Sequence, residues 1–402
     1  MALLSSGERA IVERAGAEPM LDQVLAWAAV NSGSRNLGGL ERMADLLVDA
    51  FAALPGLIRL ERPASVKSVD GGGRTIDIEH GRHLHLTVRP TAPVQLLLTG
   101  HMDTVYGANH AFQETSWIED GVLGGPGVAD MKGGLAVMLA ALKAVEHSKL
   151  TDRIGYEVVI NSDEEVGSPA SAALLAQAAQ GKHAALTYEP AALPDGTLAG
   201  ARPGSGNFDF VIKGRSAHAG RNPEEGRNAI VAASELALRL SMSKTPGLSI
   251  NPAKIDGGGP NNVVPDLAIL RVNFRPRTTD DQEIASRLIA KALDETAAAH
   301  DVFIEAHGGF GRPPKPLTPK AEALFGLVKQ AGLDLGQEIG WQPSGGVCDG
   351  NNIAACGVPV VDTMGVRGGK IHSMEEYVIV DSLGERAALS ALTIMRLAGE
   401  TA

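Results

Sequence analysis

Short apolar runs that stop abruptly at polar clusters recur through the first half of the chain. Val94–Leu98 has the length of one buried strand and leads into Gly100-His101-Met102-Asp103. Ile154–Asn161 is followed by Ser162-Asp163-Glu164-Glu165, and Ala184–Tyr188 by Glu189-Pro190. Between the first two runs, Leu135, Met138, Leu139, Leu142 and Val145 recur at helical spacing behind the glycine-rich stretch Gly121–Asp130. Upstream, residues 7 to about 54 read as largely helical: Leu40, Met43, Leu46, Leu47 and Phe51 mark one face, and Pro55-Gly56 ends it. Leu57–Glu61 and Thr75–Val88 alternate as strands, separated by the turn Asp70-Gly71-Gly72-Gly73. Strands alternating with helices predict a mostly parallel, helix-flanked sheet.

From about Ala201 the pattern changes. Phe208–Lys213 reads as a strand, and Asn222-Pro223-Glu224-Glu225 starts a helical stretch over Ala229–Leu240. Strands over Leu248–Ile255 and Leu267–Phe274, a helix over Asp281–Ala298 and a strand over Val302–Ala306 follow. Strand–helix–strand–strand–helix–strand is the ferredoxin-like plan. Arg312-Pro313-Pro314-Lys315-Pro316 reads as the linker back to the first pattern, which resumes with a helix over Ala321–Ala331 and a strand over Pro359–Met364. The expected architecture is an α/β domain formed by residues 1–202 and 313–402, with an α+β domain, 203–312, inserted in it.

Length and charge agree with this division. At 402 residues the chain exceeds one ordinary core, and 44% hydrophobic with 21% charged residues is a globular composition. The net charge of −11, without basic runs, argues against a nucleic-acid partner. No stretch approaches the roughly 18–20 apolar residues of a membrane helix, so no membrane partner is expected. The N-terminus, MALLSSGERAIVERAG, offers only Ala2–Leu4 before polar residues, short of a signal-peptide core. Cys348 and Cys356 are too few for a disulfide framework, and a reducing cytoplasm is the expected location.

The chemistry lies at the ends of the apolar runs. Open α/β sheets place their sites at the carboxyl ends of strands, where His101/Asp103, Glu164/Glu165 and Glu189 all fall. His101 and Asp103, two apart, would share a side if the strand persisted. Asp130 opens the intervening helix, where it would also serve as an ordinary cap, and His372 lies in a late glycine loop. Two imidazoles and three carboxylates suffice for two divalent cations if one carboxylate bridges. Without thiolate the set suits zinc, with cobalt or manganese as alternatives. Two cations about 3.5–4 Å apart lower the pKa of a bridging water and polarise a carbonyl. Glu164 or Glu165 could move the proton, provided the chain turns there so that both face one site.

Together these residues form a pattern. GHMDTV, GPGVADMKGG, Glu164-Glu165-Val166-Gly167, Glu189-Pro190, SAHAG and the late His372 resemble, in order, the M20 family of metallopeptidases and amidohydrolases. Glu189 in the fourth position resembles its glutamate carboxypeptidase branch. The resemblance implies a zinc-peptidase-type catalytic domain with two Zn2+ per subunit and an inserted lid that pairs two subunits. Asp130 would bridge the ions, its peptide bond to Met131 being cis. His101 and Glu189 would complete one site, Glu165 and His372 the other. Glu164 would be general base and proton shuttle, and Asp103 would orient His101. His218 would reach the partner's active site and stabilise the oxyanion, while Asn262 and Arg275 would bind the substrate carboxylate and Gly346 would face the substrate. Glutamate-releasing members carry a lysine and a serine where this chain reads Gly196-Thr197-Leu198-Ala199-Gly200, so a preference for glutamate is not expected.

The expected activity is therefore that of a homodimeric di-zinc hydrolase acting on a small amide or short peptide. It would release an amino acid with a free carboxylate, as a carboxypeptidase, N-acyl-amino-acid amidohydrolase or dipeptidase. The alternative is a non-catalytic relative that binds amino-acid-type ligands; loss of Glu164 or of a ligand would signal it, and all are present. No G-x-S-x-G, phosphate loop or complete dinucleotide motif supports a serine hydrolase or a nucleotide enzyme.

Overall fold

The computed structural model describes residues 4–399; residues 1–3 and 400–402, at the ends of the two expected outer segments, lie outside it. Six strands form the central sheet, in the order Leu57–Glu61, His83–Val88, Ile154–Asn161, Val94–His101, Ala184–Thr187 and Val360–Val361. The last four run parallel and the first two pair antiparallel at one edge. Period-two alternation explains how one strand serves two cores. Leu96 and Leu98 join Tyr156, Val158 and Ile160 on one face, whereas Leu97 joins Val159 and Ala185 on the other.

Helix Gly133–Val145 is buried almost all round, as its unbroken apolar composition requires. Gly134 lets its first turn touch the sheet: a Cβ there would lie 2.0 Å from the Tyr188 carbonyl oxygen. The N-terminal region is three helices, Ser6–Gly16, Leu21–Ala28 and Leu37–Phe51, and the last buries Leu40, Met43, Leu47 and Phe51 as read. Thr75–Val88 is not one strand. Thr75–Ile78 pairs with Val66–Val69 in a separate hairpin, and only His83–Val88 joins the sheet. Among the described residues no helix is long and apolar enough to cross a membrane.

Residues 205–312 build a second sheet, ordered Leu248–Gly257, Leu267–Pro276, Ser205–Lys213, Phe303–Arg312, antiparallel throughout. Helices Ala229–Met242 and Thr279–His300 cover one face and share an apolar core with it that is separate from the main one. The hairpin 66–78 reaches the other face: Val69 packs on Val211 and Ile269, and Arg271 Nη2 donates to the Val69 carbonyl at 3.0 Å.

The two chain crossings between the units are clamped together. Arg202 and Lys315 form an antiparallel bridge, and both cations converge on Asp362, which is fully buried beside strand Val360–Val361. Arg202 Nε and Nη2 donate to its two oxygens at 2.7 and 3.0 Å, and Lys315 Nζ lies at 2.8 Å. Arg202 is buried, and its counter-ion is internal. Arg312, read as linker, is the last residue of a strand, and it is buried.

Removing one member of such a cluster leaves buried charge uncompensated. Asp362→Ala is expected to destabilise the fold by about 3–5 kcal/mol, measured by urea denaturation.

Candidate metal centre and cleft

The candidate ligands arise where four loops leave the carboxyl end of the parallel strands. His101 ends its strand in register with Asn161. Beyond Asn161 the chain turns at once, into a short helical turn, Glu164–Val166, closed by Gly167 at φ +95°. That turn brings Glu164 and Glu165 to one site, which an extended strand would have prevented. Asp103 fixes it: its carboxylate accepts the amides of Glu164 and Glu165 at 3.1 and 3.2 Å and the Ser34 hydroxyl at 2.7 Å. His101 Nδ1 is held more closely by the Asp103 carbonyl oxygen, 2.9 Å, than by its carboxylate, 3.5 Å. The Asp103 side chain, expected to orient His101, also holds the turn that carries the glutamate pair.

Asp130 stands between the two imidazoles. Its Oδ1 lies 3.1 Å from His101 Nε2 and its Oδ2 3.2 Å from His372 Nε2. His372 Nε2 is also 3.1 Å from Glu165 Oε2, and His101 Nε2 is 3.7 Å from Glu189 Oε2. All five expected ligands thus meet, and Glu164 approaches His101 and Glu189 closely enough for shared coordination. His372 holds a left-handed backbone, φ +62°, uncommon for a residue with a side chain and typical of functional sites. The Asp130–Met131 peptide bond is cis.

Burial and mutual repulsion act on the protonation of this set. Burial, then the charge of Asp130, pushes Glu165 up to about 8. Burial pushes Glu164 up to about 7 against the pull of Arg312. Burial would raise Asp130 too, but hydrogen bonds from His101 and His372 hold it far below the carboxylate range. His372 rises to about 11 through Asp130 and Glu165. By the protein's own groups alone, carboxylates crowded out of water are forced to keep or share protons. Divalent cations would reverse that penalty, and nitrogen and oxygen donors facing one another at 3.1–3.7 Å are a set such ions fit.

The loop carrying Asp130 is tied down by a residue that sequence reading passed over. Glu376 is buried, and its carboxylate accepts the amides of Gly127, Ala129 and Asp130 at 3.0–3.1 Å and the Tyr106 hydroxyl at 2.8 Å. It lies four residues after His372, so it joins the loops of two candidate ligands. Nothing local distinguishes it from Glu375, which is exposed.

A cleft of about 1030 Å³ opens from Glu164, Glu165 and His372 and runs between the two units. Arg275 and Gly346, expected to meet substrate, line it. Arg275 Nε donates to Asn273 at 2.9 Å, and the rest of its guanidinium has no carboxylate partner among the described residues. His218 and Asn262 are exposed on adjoining loops of the second unit and do not line this cleft. Trp117 and Trp341 lie outside it as well. Cys348 is buried, which pushes its thiol well up, away from the reactive thiolate.

The sequence model of Peptidase family M20/M25/M40 matches residues 97–396. Carboxypeptidase G2 of Pseudomonas sp. (strain RS-16) is 33% identical over 311 residues, 75% of this chain and 74% of that protein. Succinyl-diaminopimelate desuccinylase of Psychrobacter arcticus is 27% identical over 348 residues, 79% and 82% of the two chains. In structure, Bacillus subtilis YXEP, a dinuclear metal binding peptidase from the M20 family, superposes with a TM-score of 0.64 at 14% identity, covering 97% of this chain and 99% of that one.

Glu376→Ala would leave three buried amides without an acceptor. The expected loss is about 2–4 kcal/mol, measured by chemical denaturation followed by circular dichroism.

Proposed function

The chain belongs to Peptidase family M20/M25/M40, and we propose that it is a di-zinc hydrolase releasing an amino acid with a free carboxylate from an amide. One observation carries this reading: the two oxygens of a single buried carboxylate, Asp130, each face a different imidazole. Asp130 would bridge, His101 and Glu189 would complete one site, and Glu165 and His372 the other. The mixed nitrogen and oxygen donors favour zinc over the harder cations, with cobalt or manganese as substitutes. When bound, the two ions supply an activated water and a polarised carbonyl.

The remaining work falls to side chains. Glu164, beside the ligands but not needed to complete either set, takes the proton of the nucleophile and returns it to the leaving nitrogen. Arg275 grips the substrate carboxylate through the unpaired part of its guanidinium, and Gly346 offers a wall without a side chain. A carboxypeptidase and a desuccinylase among the relatives support amide cleavage and leave carboxypeptidase and N-acyl-amino-acid amidohydrolase as the two candidate activities.

We assign residues 203–312 to an inserted lid that pairs two copies. Helix Ala229–Met242 exposes Val231, Leu238 and Met242, and strand Leu248–Gly257 is an edge, features that suit a second subunit. His218 and Asn262, away from the cleft of their own chain, would then serve the partner's. Two unbridged cysteines suit a cytoplasmic location.

Zinc-loaded protein is expected to hydrolyse members of a panel of N-acyl amino acids and dipeptides, and a chelator should abolish this. Glu164→Gln should lower turnover by about 10²–10⁴ while elemental analysis still finds the metal; full activity in that variant would sink the mechanism. His218→Ala should cost about 10²–10³. Co-expressing Glu164→Gln and His218→Ala chains should restore activity through mixed dimers, and no recovery would place His218 in its own chain's site.

A further inference from the structure

Arg312 closes strand Phe303–Arg312, yet its side chain leaves that sheet and enters the floor beneath Glu164. It is buried. Nη2 donates to the Glu164 carbonyl and the Ser168 hydroxyl, both at 2.9 Å, with Asp349 Oδ1 at 3.4 Å. The same nitrogen lies 2.6 Å from Glu164 Oε1, an ion contact rather than an aligned hydrogen bond. Among the described residues, that oxygen has no hydrogen-bond donor.

Behind the guanidinium stands a second buried carboxylate that the reaction does not use. Asp349 opens helix Asp349–Ala355 and is held by Asn161 Nδ2 at 2.7 Å and by the Ser168 hydroxyl. The base of this arrangement is tied to the point where the chain crosses between the units. Asn351 Nδ2 donates to the carbonyls of Pro203 and Pro313, at 2.9 and 2.7 Å, pinning both chain crossings to the same helix. Arg312 therefore sits at the crossing, with Asp349 behind it and Glu164 in front.

We propose that Arg312 is a positioning residue for Glu164: held by Asp349 and Ser168, its guanidinium sets the direction of the Glu164 carboxylate toward the candidate metal centre. The inference rests on the reading of Glu164 as general base. All four contacts fall on Nη2, one end of a rigid planar group, so the partners of that nitrogen fix the aim of the whole guanidinium; the ammonium of lysine would keep the charge but not the direction. Both arginines border the cleft, but Arg312 is buried against internal acceptors, whereas Arg275 is only half-buried and donates to Asn273. A base displaced by about 1 Å loses on the order of 10²-fold in rate without weakening substrate binding.

Zinc-loaded Arg312→Met, Arg312→Lys and Asp349→Asn would be assayed beside wild type and Glu164→Gln, using the N-acetyl amino acid that wild type cleaves fastest. The expected result for Arg312→Met is a fall of about 10² in kcat with KM unchanged, unchanged zinc content and a rotated Glu164 in its crystal structure. Arg312→Lys should recover part of the loss and Asp349→Asn should show a smaller fall of the same kind. If Arg312→Met does not fold, those two variants decide by the same criterion. A raised KM with unchanged kcat would make Arg312 a substrate contact and overturn the proposal, as would unchanged kinetics in all three. Activity retained by Glu164→Gln, or its absence in wild type, would instead remove the functional reading and this inference with it.

Discussion

Crowding of like charge among largely buried side chains is the constraint around which this structure is arranged. Asp103, Asp130, Glu164 and Glu189 are all buried at one end of a sheet whose interior is apolar, and Glu165 joins them. Charges in such a medium must be paired, hydrogen-bonded or neutralised. Each carboxylate meets that demand differently. Asp103 takes two turn amides and a hydroxyl, Asp130 faces two imidazoles, and Glu164 leans on Arg312. Glu165 faces the His372 imidazole and Glu189 that of His101, and divalent cations would balance the negative charge that remains.

The support around the cluster follows the same logic at greater distance. Glu376 collects three amides of the Asp130 loop, and Asp362 collects the two cations of the chain crossings. Both are buried acids with several fixed donors, and both join segments far apart in the chain. Hydrogen bonds to ionised groups are the stronger kind, which suits them to precision rather than to bulk stability.

Much of this was readable in advance because it is local. Apolar runs ending in polar clusters identified the parallel strands and placed His101, Glu164, Glu165 and Glu189 at their carboxyl ends, and the glycine-rich stretch announced the turn before helix Gly133–Val145. The strand–helix order from 205 to 312 appeared with boundaries shifted by a few residues. Misreadings occurred where local pattern is silent about partners. Thr75–Val88 alternates throughout, yet half of it pairs with a hairpin and half with the sheet. Arg312 stands before two prolines and so reads as linker, although its strand runs to that residue.

By itself, then, the sequence determined the fold class, the order of the main elements and which candidate ligands fall at the strand ends, because strand and helix periods and motif order are written along the chain. Only the tertiary structure decided which carboxylate stands between the imidazoles, that Asp103 steadies the glutamate pair, and that Arg202 answers to Asp362. The reason is physical. A buried charge is defined by what faces it, and Glu376 faces Asp130 across 246 residues of chain, a separation at which neighbouring positions carry no trace of the contact.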